Sequence, residues 1–178
     1  MRTDLKLPQE FMAIKDPNEE ICWVGTPNFT AFIARGIPFL IIGLLWGAFN
    51  MLIMQHMKNA PPGALVQFFI IHLLPFWLCI LNMLRLFLVY GNTCYAISNK
   101  RVMMRSGFWG TDFDAIDYKK ISDINVDVNP VENILGVGTI GFFSGRTTSK
   151  GSRIYDTFIG IERPYEVLNR IKEVSVEK

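Results

Sequence analysis

The stretch "TCYAISNKRVMMRSGFWG", residues 93–110, decides the fold because the periodicity of the chain changes there. Apolar and polar residues alternate on both sides of the dipeptide Asn99-Lys100, which interrupts the alternation. A period of two predicts strands, and a two-residue break between strands predicts a hairpin turn. We therefore predict a β-hairpin. One face carries Tyr95, Ile97, Val102 and Met104, and the other carries Arg101, Met103 and Arg105.

Two long uncharged stretches precede this hairpin. Residues 36–54 and 64–84 carry no charged side chain when His72 is neutral, and each is long enough to cross a hydrocarbon core of about 30 Å. The connector "QHMKNAPPG", residues 55–63, is short, so the two spans must run antiparallel. We predict an N-terminal cytoplasmic segment over residues 1–30, a transmembrane helical hairpin over residues 31–90 and a cytoplasmic β-domain over residues 91–178.

The basic residues around the spans predict their orientation. The connector holds one base, Lys58, and the opposite flanks hold Lys15, Arg35, Arg85, Lys100, Arg101 and Arg105. Bases concentrate on the cytoplasmic side of membrane proteins. We predict a multi-pass protein of a bacterial inner membrane with both termini in the cytoplasm and the lipid bilayer as its first partner.

Several residues within the spans have a packing interpretation. Asn50 lies at a depth that overlaps those of Gln67 and His72, so a hydrogen bond across the hairpin is one prediction. An ionisable residue at that depth also raises the hypothesis of a proton or ion pathway. Gly43 and Gly47 form a GxxxG motif, which predicts close helix packing with the second span or with another copy of the protein.

The cytoplasmic part continues as short strands followed by a helix. Residues 112–121 and 121–129 predict a third and a fourth strand, and "GTIGFF" and "RIYDTFIGI" predict two more. "VENILG" predicts a single helical turn. Pro164 suits a first helical turn, and the spacing of Val167, Ile171 and Val174 predicts the apolar face of a terminal helix. The fold class is α+β, an open barrel or bent sheet closed by that helix.

Composition excludes several functional classes. The net charge is +2, from 18 basic and 16 acidic residues, so no basic field predicts nucleic-acid binding. The three cysteines are far apart and form no CxxC pair, so we predict no zinc site. The histidines, His56 and His72, lie outside the cytoplasmic part, and no nucleophile–base pair is visible. We predict no enzyme, no catalytic residue, no metal and no cofactor.

Residues 136–141 match the pattern GxGxxG. A dinucleotide site needs a strand before that pattern and a helix after it. Here a β-pattern follows, so we assign these glycines to a turn and a bent strand.

Several motifs resemble a known family. The motifs "YAISNKRVMMRSG", "IDYKKISDINVDVNPVENILGVGTI" and "RPYEVLNRIKE" look like those of the bacterial pleckstrin-homology-like (PH-like) membrane-protein family, and "EEICWVGTPNF" is similar to its beginning. The match runs from about Glu19 to Lys172. Arg163 departs from it, because members often place a better helix-capping residue there. The resemblance implies a PH-like β-barrel or sandwich of about seven strands, capped by a C-terminal helix, with no implied catalysis or ligand.

Two groups of residues are candidate contact sites. Lys100, Arg101 and Arg105 form a basic group that is a candidate for contact with anionic lipid or for setting topology. Phe108 and Trp109, between two glycines, form an aromatic tip that is a candidate for contact with a partner, for insertion into an interface or for covering the domain's own core.

These features predict a non-enzymatic membrane protein that presents a PH-like domain for binding a protein or peptide, with self-assembly into a homo-oligomer as one form of this. Two alternatives stay open. An oligomeric channel or transporter component would use Asn50, Gln67 and His72, and an anionic-lipid sensor would use Lys100, Arg101 and Arg105.

Overall fold

The computed structural model describes residues 9–56 and 61–176. The chain divides into two compact units, one built from the residues up to Phe32 and from Val89 onward, and the other from Ile33–Leu88. The helices are α1 Gln9–Ile14, α2 Phe29–Ala34, α3 Ile37–His56, α4 Pro62–Gln67, α5 Leu74–Asn92, α6 Pro130–Leu135 and α7 Pro164–Val176. The strands are β1 Ile21–Gly25, β2 Cys94–Ser98, β3 Arg101–Ser106, β4 Asp112–Asp117, β5 Asp123–Asp127, β6 Val137–Thr147 and β7 Arg153–Glu162.

The first sheet is antiparallel and has the strand order β1-β2-β3-β4. The hairpin predicted from the alternation is present as β2 and β3, with Asn99-Lys100 as its turn. The sequence pattern places residues 1–30 in a separate segment, but β1 from that segment pairs with β2, with Trp23 opposite Ile97. Since the two-helix unit separates β1 from β2 in the chain, alternation within either segment gives no sign of this pairing.

The second sheet has the order β5-β6-β7, so a closed barrel is not formed. Within the part of the chain that the structure describes, β4 pairs only with β3 and β5 pairs only with β6. The short 3₁₀ helix Tyr118–Lys120 lies between β4 and β5, where a closed barrel would need ladder pairing. The structure therefore has the predicted seven strands in two sheets of four and three, as in the sandwich form of the prediction, and the barrel is not closed.

The main core lies between the two sheets. Its buried residues come from β2, β3, β4, β6, β7 and α7: Tyr95, Ile97, Val102, Met104, Ile116, Ile140, Phe142, Phe158, Ile161, Val167 and Ile171. The Tyr95 ring stacks on Phe158 with centroids 4.6 Å apart, and its hydroxyl accepts a hydrogen bond from the Ile159 N–H at 3.1 Å. The apolar face predicted for the hairpin is thus the inner face of the first sheet.

The outer face of the first sheet is covered by α1. Phe11 is fully buried there among Cys94, Ala96 and Met103, and its ring meets Phe113 edge to face at 5.5 Å. Burying one phenylalanine side chain contributes roughly 1.5–3 kcal/mol. This face is where the hairpin also carries its basic residues.

Local capping interactions mark both ends of helix α6 and the start of helix α7. In α6, the Asn129 side chain accepts from the Glu132 N–H while the Glu132 carboxylate accepts from the Asn129 N–H, a capping box. Gly136 ends this helix in the left-handed region with φ 65°. Arg163 also has a left-handed φ, 51°, and α7 nevertheless begins at Pro164, because the Arg163 carbonyl accepts from the N–H of Glu166 at 3.0 Å.

The second unit contains an antiparallel pair of helices. A Cβ atom added to Gly43 would lie 2.6 Å from Cys79 Cβ, and one added to Gly47 would lie 3.0 Å from the Phe76 ring. The GxxxG motif therefore faces α5, and these two glycines no longer argue for contact with another copy. Of the two partners predicted for this motif, the structure selects the second helix of the same chain.

Two helices, Ile37–His56 and Leu74–Asn92, are long and apolar enough to cross a membrane. The first agrees closely with the predicted span 36–54. The second extends further toward the C-terminus than the predicted span 64–84. The π-helix Phe68–His72 and helix α4 precede it, so most of residues 62–92 are helical.

Candidate functional site

The three basic residues singled out in the sequence each meet an acidic residue of the N-terminal segment. Lys100 Nζ lies 3.0 Å from Asp16 Oδ2, Arg101 contacts both Glu19 and Asp16, and Arg105 lies 3.3 Å from Glu10 Oε1. We call residues 9–20 the N-terminal strap. The structure places Arg101 and Arg105 on one face of the sheet, with Lys100 at the turn, but it also pairs the charge of each with a carboxylate.

Glu19 is the most deeply buried member of this group, with its side chain fully shielded from solvent. Arg101 donates to both of its carboxylate oxygens, at 3.0 and 3.1 Å, and the Ser98 hydroxyl donates to Oε1 at 2.5 Å. The Asp16 N–H donates to Oε2 at 3.0 Å. Such a fully bonded pair holds the strap to the hairpin turn.

The pKa values in this cluster follow from its geometry. Burial raises the pKa of Glu19, but the hydrogen bonds from Ser98 and Asp16 and the nearby Arg101 guanidinium more than offset that, so its pKa lies below the ordinary 4.5. Burial acts to lower the pKa of Arg101, but the nearby Glu19 carboxylate outweighs this effect, so the pKa of Arg101 is raised. The bond from Lys100 lowers the pKa of Asp16. All three groups are therefore charged at neutral pH.

Sequence reasoning missed the acidic partners of the basic group. Glu10, Asp16 and Glu19 are separated from the hairpin by the two-helix unit, and their spacing matches no motif. The sequence offered one indication of these pairs: the first thirty residues carry more acids than bases, whereas the hairpin carries three bases. That indication does not say which base each acid meets.

The aromatic tip, by contrast, points into open space. Trp109 is 91% exposed and Phe108 is 40% exposed, with ring centroids 5.4 Å apart. Gly107 has φ 152°, and a Cβ atom there would collide with the carbonyl of Gly110. The loop 107–111 is therefore a tight turn that requires glycine at its first position. We call these five residues the aromatic loop.

The base of the aromatic loop is tied to the end of α5. Asn92 Nδ2 donates to the Gly107 carbonyl at 3.1 Å, and Asn92 lines a shallow depression together with Phe108, Trp109, Gly110 and Thr111. The sheet register gives the same placement: Cys94 opposes Arg105, and Ser106 opposes Asp112. The loop thus lies at the end of the sheet where α5 enters it.

The polar residues of the two-helix unit do not form the predicted bond across the hairpin. Asn50 Nδ2 donates to the Trp46 carbonyl of its own helix at 2.8 Å, and Asn50 Oδ1 has no partner among the described residues. The bond that crosses is from Trp46 Nε1 to the His72 carbonyl at 2.7 Å, with the His72 ring stacked on Phe68. Gln67 is exposed. The carbonyl one turn back is always within reach of an asparagine, which explains the difference.

A second exposed apolar surface lies on α6. Val131 and Ile134 are 50% and 85% exposed, and residues three apart share one face of a helix. Glu132 on the opposite side accepts from the Thr139 hydroxyl of β6 at 2.9 Å, so Ile134 points away from β6. Sequence reasoning found the helix but not this surface, because two apolar residues in one turn are equally consistent with burial.

Two observations on the described residues bear on metal binding and on nucleophilic chemistry. No group of three or more His, Cys, Asp or Glu side chains that could hold a metal ion occurs within residues 9–56 and 61–176. Burial raises the pKa of the Cys94 thiol and of the Tyr118 hydroxyl. A raised thiol pKa lowers the thiolate fraction that a nucleophile requires.

Comparison with known proteins gives a family but no named function. The family model described as "Bacterial PH domain" matches residues 29–175. No curated protein matches the chain. A crystal structure of a DUF1696 family protein with a pleckstrin-homology domain, from Shewanella loihica PV-4, is similar with 8% identity and a TM-score of 0.44, over 94% of this chain and 92% of that chain. At this score the likeness adds nothing to the family match.

Proposed function

The chain belongs to the bacterial PH domain family, and from that premise we propose that it is a non-enzymatic membrane protein whose PH-like domain binds a segment of a protein partner. The observation that carries the binding role is the exposed apolar surface of α6. Contiguous exposed apolar side chains on a folded domain mark interaction sites.

Membrane anchoring is the first part of the proposal. Helices α3 and α5 are long and apolar enough to span a bilayer, and most of their large apolar side chains are exposed rather than packed in a core. The excess of bases outside the connector supports an arrangement with both termini in the cytoplasm of a bacterial inner membrane. The PH-like domain is then presented to the cytoplasm.

Binding of a protein segment is the second part. Val131 and Ile134 offer apolar contact, and the outer edge of β5, which precedes α6 directly, has no ladder partner in the described chain. An open strand edge beside apolar anchor residues suits an extended peptide, which adds backbone hydrogen bonds to side-chain contacts. The partner is therefore expected to supply an extended segment with apolar residues.

The alternatives are supported less well. An anionic-lipid sensor would need Lys100, Arg101 and Arg105 free, whereas the strap carboxylates already pair their charges. A pore would need several copies, and the GxxxG face that argued for such contacts packs on α5.

Affinity purification of the full chain from native membranes tests the proposal. We expect a co-purifying protein that cross-links to a photoreactive residue at position 134, and we expect Ile134→Asp to reduce its recovery at least about tenfold, as for loss of a central contact residue. Met12→Asp is the matched control, because Met12 on α1 is 58% exposed.

Three outcomes would count against binding at α6. One is recovery of the same proteins with Ile134→Asp as with the unmodified chain. Another is a native mass spectrum of the membrane extract that contains only the monomer. Equal losses in both variants would show a general effect of the added charge and would also contradict the proposal.

A further inference from the structure

The proposed binding role of α6 does not involve the aromatic loop. We propose that Phe108 and Trp109 insert into the membrane–water interface and thereby fix the orientation of the PH-like domain on the bilayer. The inference rests on the membrane anchoring proposed above, and it is independent of the partner that α6 contacts.

The first step is the position of the loop in the sheet. Strand β2 begins two residues after α5 ends at Asn92, and β3 returns to the same end of the sheet. The loop between β3 and β4 therefore lies beside the C-terminus of α5, and the Asn92–Gly107 hydrogen bond of 3.1 Å fixes it there. This placement depends only on contacts within one compact unit.

The second step is where α5 leaves the membrane. The helix is apolar up to Val89 except for Asn82 and Arg85, and Phe87 and Leu88 are nearly half exposed. Arginine near a span end extends its guanidinium to the headgroups. The candidate span ends at Asn92, so the last turn of α5 is where the helix reaches the interface.

The third step is the composition of this end of the domain. Tyr90 lies in the last turn of α5, and the Phe29 ring meets it edge to face at 5.1 Å. Phe29 is 47% exposed. The Asn92–Gly107 bond places the loop with Phe108 and Trp109 at the same helix end, so two aromatic pairs occur near it. Tryptophan and tyrosine concentrate at the interfaces of membrane proteins, because their rings are apolar and their polar groups bond to headgroups and water.

The fourth step is the rigidity of the loop. Gly107 and Gly110 are in backbone contact, and the base of the loop is fixed by the Asn92 bond. The Trp109 side chain is therefore presented on a preformed turn. Insertion orders little additional backbone, which favours binding.

Fluorescence of the full chain in vesicles tests the inference. The chain is reconstituted in phosphatidylethanolamine–phosphatidylglycerol vesicles, with or without lipids brominated near the headgroup end of one acyl chain. Trp109→Phe, Trp23→Phe and Trp77→Phe are measured beside the unmodified chain, and each difference spectrum isolates one tryptophan. Trp109→Phe keeps an aromatic ring at an exposed position, so the fold is retained.

We expect the brominated lipid to remove most of the Trp109 emission. The emission of Trp77, which lies in α5, should be removed as well. Trp23 stacks on Phe158 in the domain core and should keep its emission. This pattern supports insertion of the loop.

Other patterns overturn the inference and can be told apart. If Trp77 is quenched by lipid but Trp109 is quenched only by aqueous acrylamide, the anchoring holds and the loop faces water. If Trp109 is quenched by neither agent, a protein contact covers it. If Trp77 is not quenched by lipid, the anchoring itself fails.

Discussion

The two ends of the first sheet differ in what surrounds their candidate contact residues. At the end with the turn Asn99-Lys100, Lys100 and Arg101 have carboxylate partners in the strap, and Glu19 is buried. At the end with the aromatic loop, Trp109 is 91% exposed. Charged residues at a hairpin turn can thus serve the fold, while the exposed aromatic residue is the one left for an external contact.

The distance between these ends strengthens the contrast. The turn that holds Lys100 follows Ser98, which lies four residues from Cys94 along β2, about 14 Å at roughly 3.4 Å per residue. Since Cys94 follows the end of α5, Lys100 and Arg101 lie at the far end of the strand from that helix. Their position and their pairing both argue for a structural role.

The largest effect is expected at Glu19. Replacement by Gln removes the charge of the fully buried Glu19 carboxylate, and breaking a fully buried ion pair costs about 3–5 kcal/mol. Because Arg101 is partly exposed and keeps Asp16 as a partner, the free energy of unfolding should fall by the lower end of this range, about 3 kcal/mol, in urea denaturation of the detergent-solubilised chain. Glu20→Gln, at an exposed neighbouring position, is the control and should have little effect. An unchanged midpoint for Glu19→Gln would show that the pair is not structural.

Acid should weaken the same end of the sheet. Because the pKa of Glu19 in the folded chain is below 4.5, its contribution to stability is fully present above pH 4.5 and is lost as the pH falls through the folded pKa. The stability difference between the unmodified chain and Glu19→Gln should therefore shrink below pH 4.5. Thermal unfolding over a pH series measures this, and a constant difference would contradict it.

A smaller effect is expected in the aromatic loop. Gly107→Ala places a Cβ atom against the Gly110 carbonyl in a backbone conformation that favours glycine, which costs about 1–3 kcal/mol. Gly110→Ala is the matched control, since a Cβ atom there meets nothing within 4 Å. Both are measured by urea denaturation. Equal midpoints for the two variants would mean that the loop is not the tight turn described.

The smallest effects are expected at exposed positions on both ends. Asp16→Asn removes the partly exposed ion pairs with Lys100 and Arg101, and it should lower the urea midpoint less than either Glu19→Gln or Gly107→Ala. Trp109→Ser should change stability by no more than about 0.5 kcal/mol. A loss of several kcal/mol from Trp109→Ser would show that the ring contributes to the fold and would remove the contrast between the two ends.

Much of the fold was predictable because it is encoded locally. Alternation around Asn99-Lys100 gave the β2–β3 hairpin, and Pro164 with its apolar spacing gave α7. The contribution of β1 was not predictable, because its partner β2 lies beyond two helices in the chain. The open side between β4 and β5 was also hidden, since strand propensity does not say which edges pair.

The sequence was enough to identify the residues of the candidate sites, but not their ion pairing or their exposure. The sequence marks Lys100, Arg101 and Arg105 as a basic group, yet their pairing with the strap arises only in three dimensions. The sequence also left open whether the rings between Gly107 and Gly110 cover the domain's own core, and the structure shows Trp109 exposed.

One measurement compares the two ends of the sheet directly. Nitroxide labels are placed at Trp109→Cys and, in a second chain, at Lys100→Cys, after Cys22, Cys79 and Cys94 are replaced by alanine, and collision rates with oxygen and with an aqueous nickel chelate are recorded in vesicles. We expect the label at position 109 to collide mainly with oxygen, as in lipid, and the label at position 100 to collide mainly with the nickel chelate. A label at position 109 that collides mainly with the chelate, or one at position 100 that lies in lipid, would contradict the contrast between a structural charged end and a membrane-facing aromatic end.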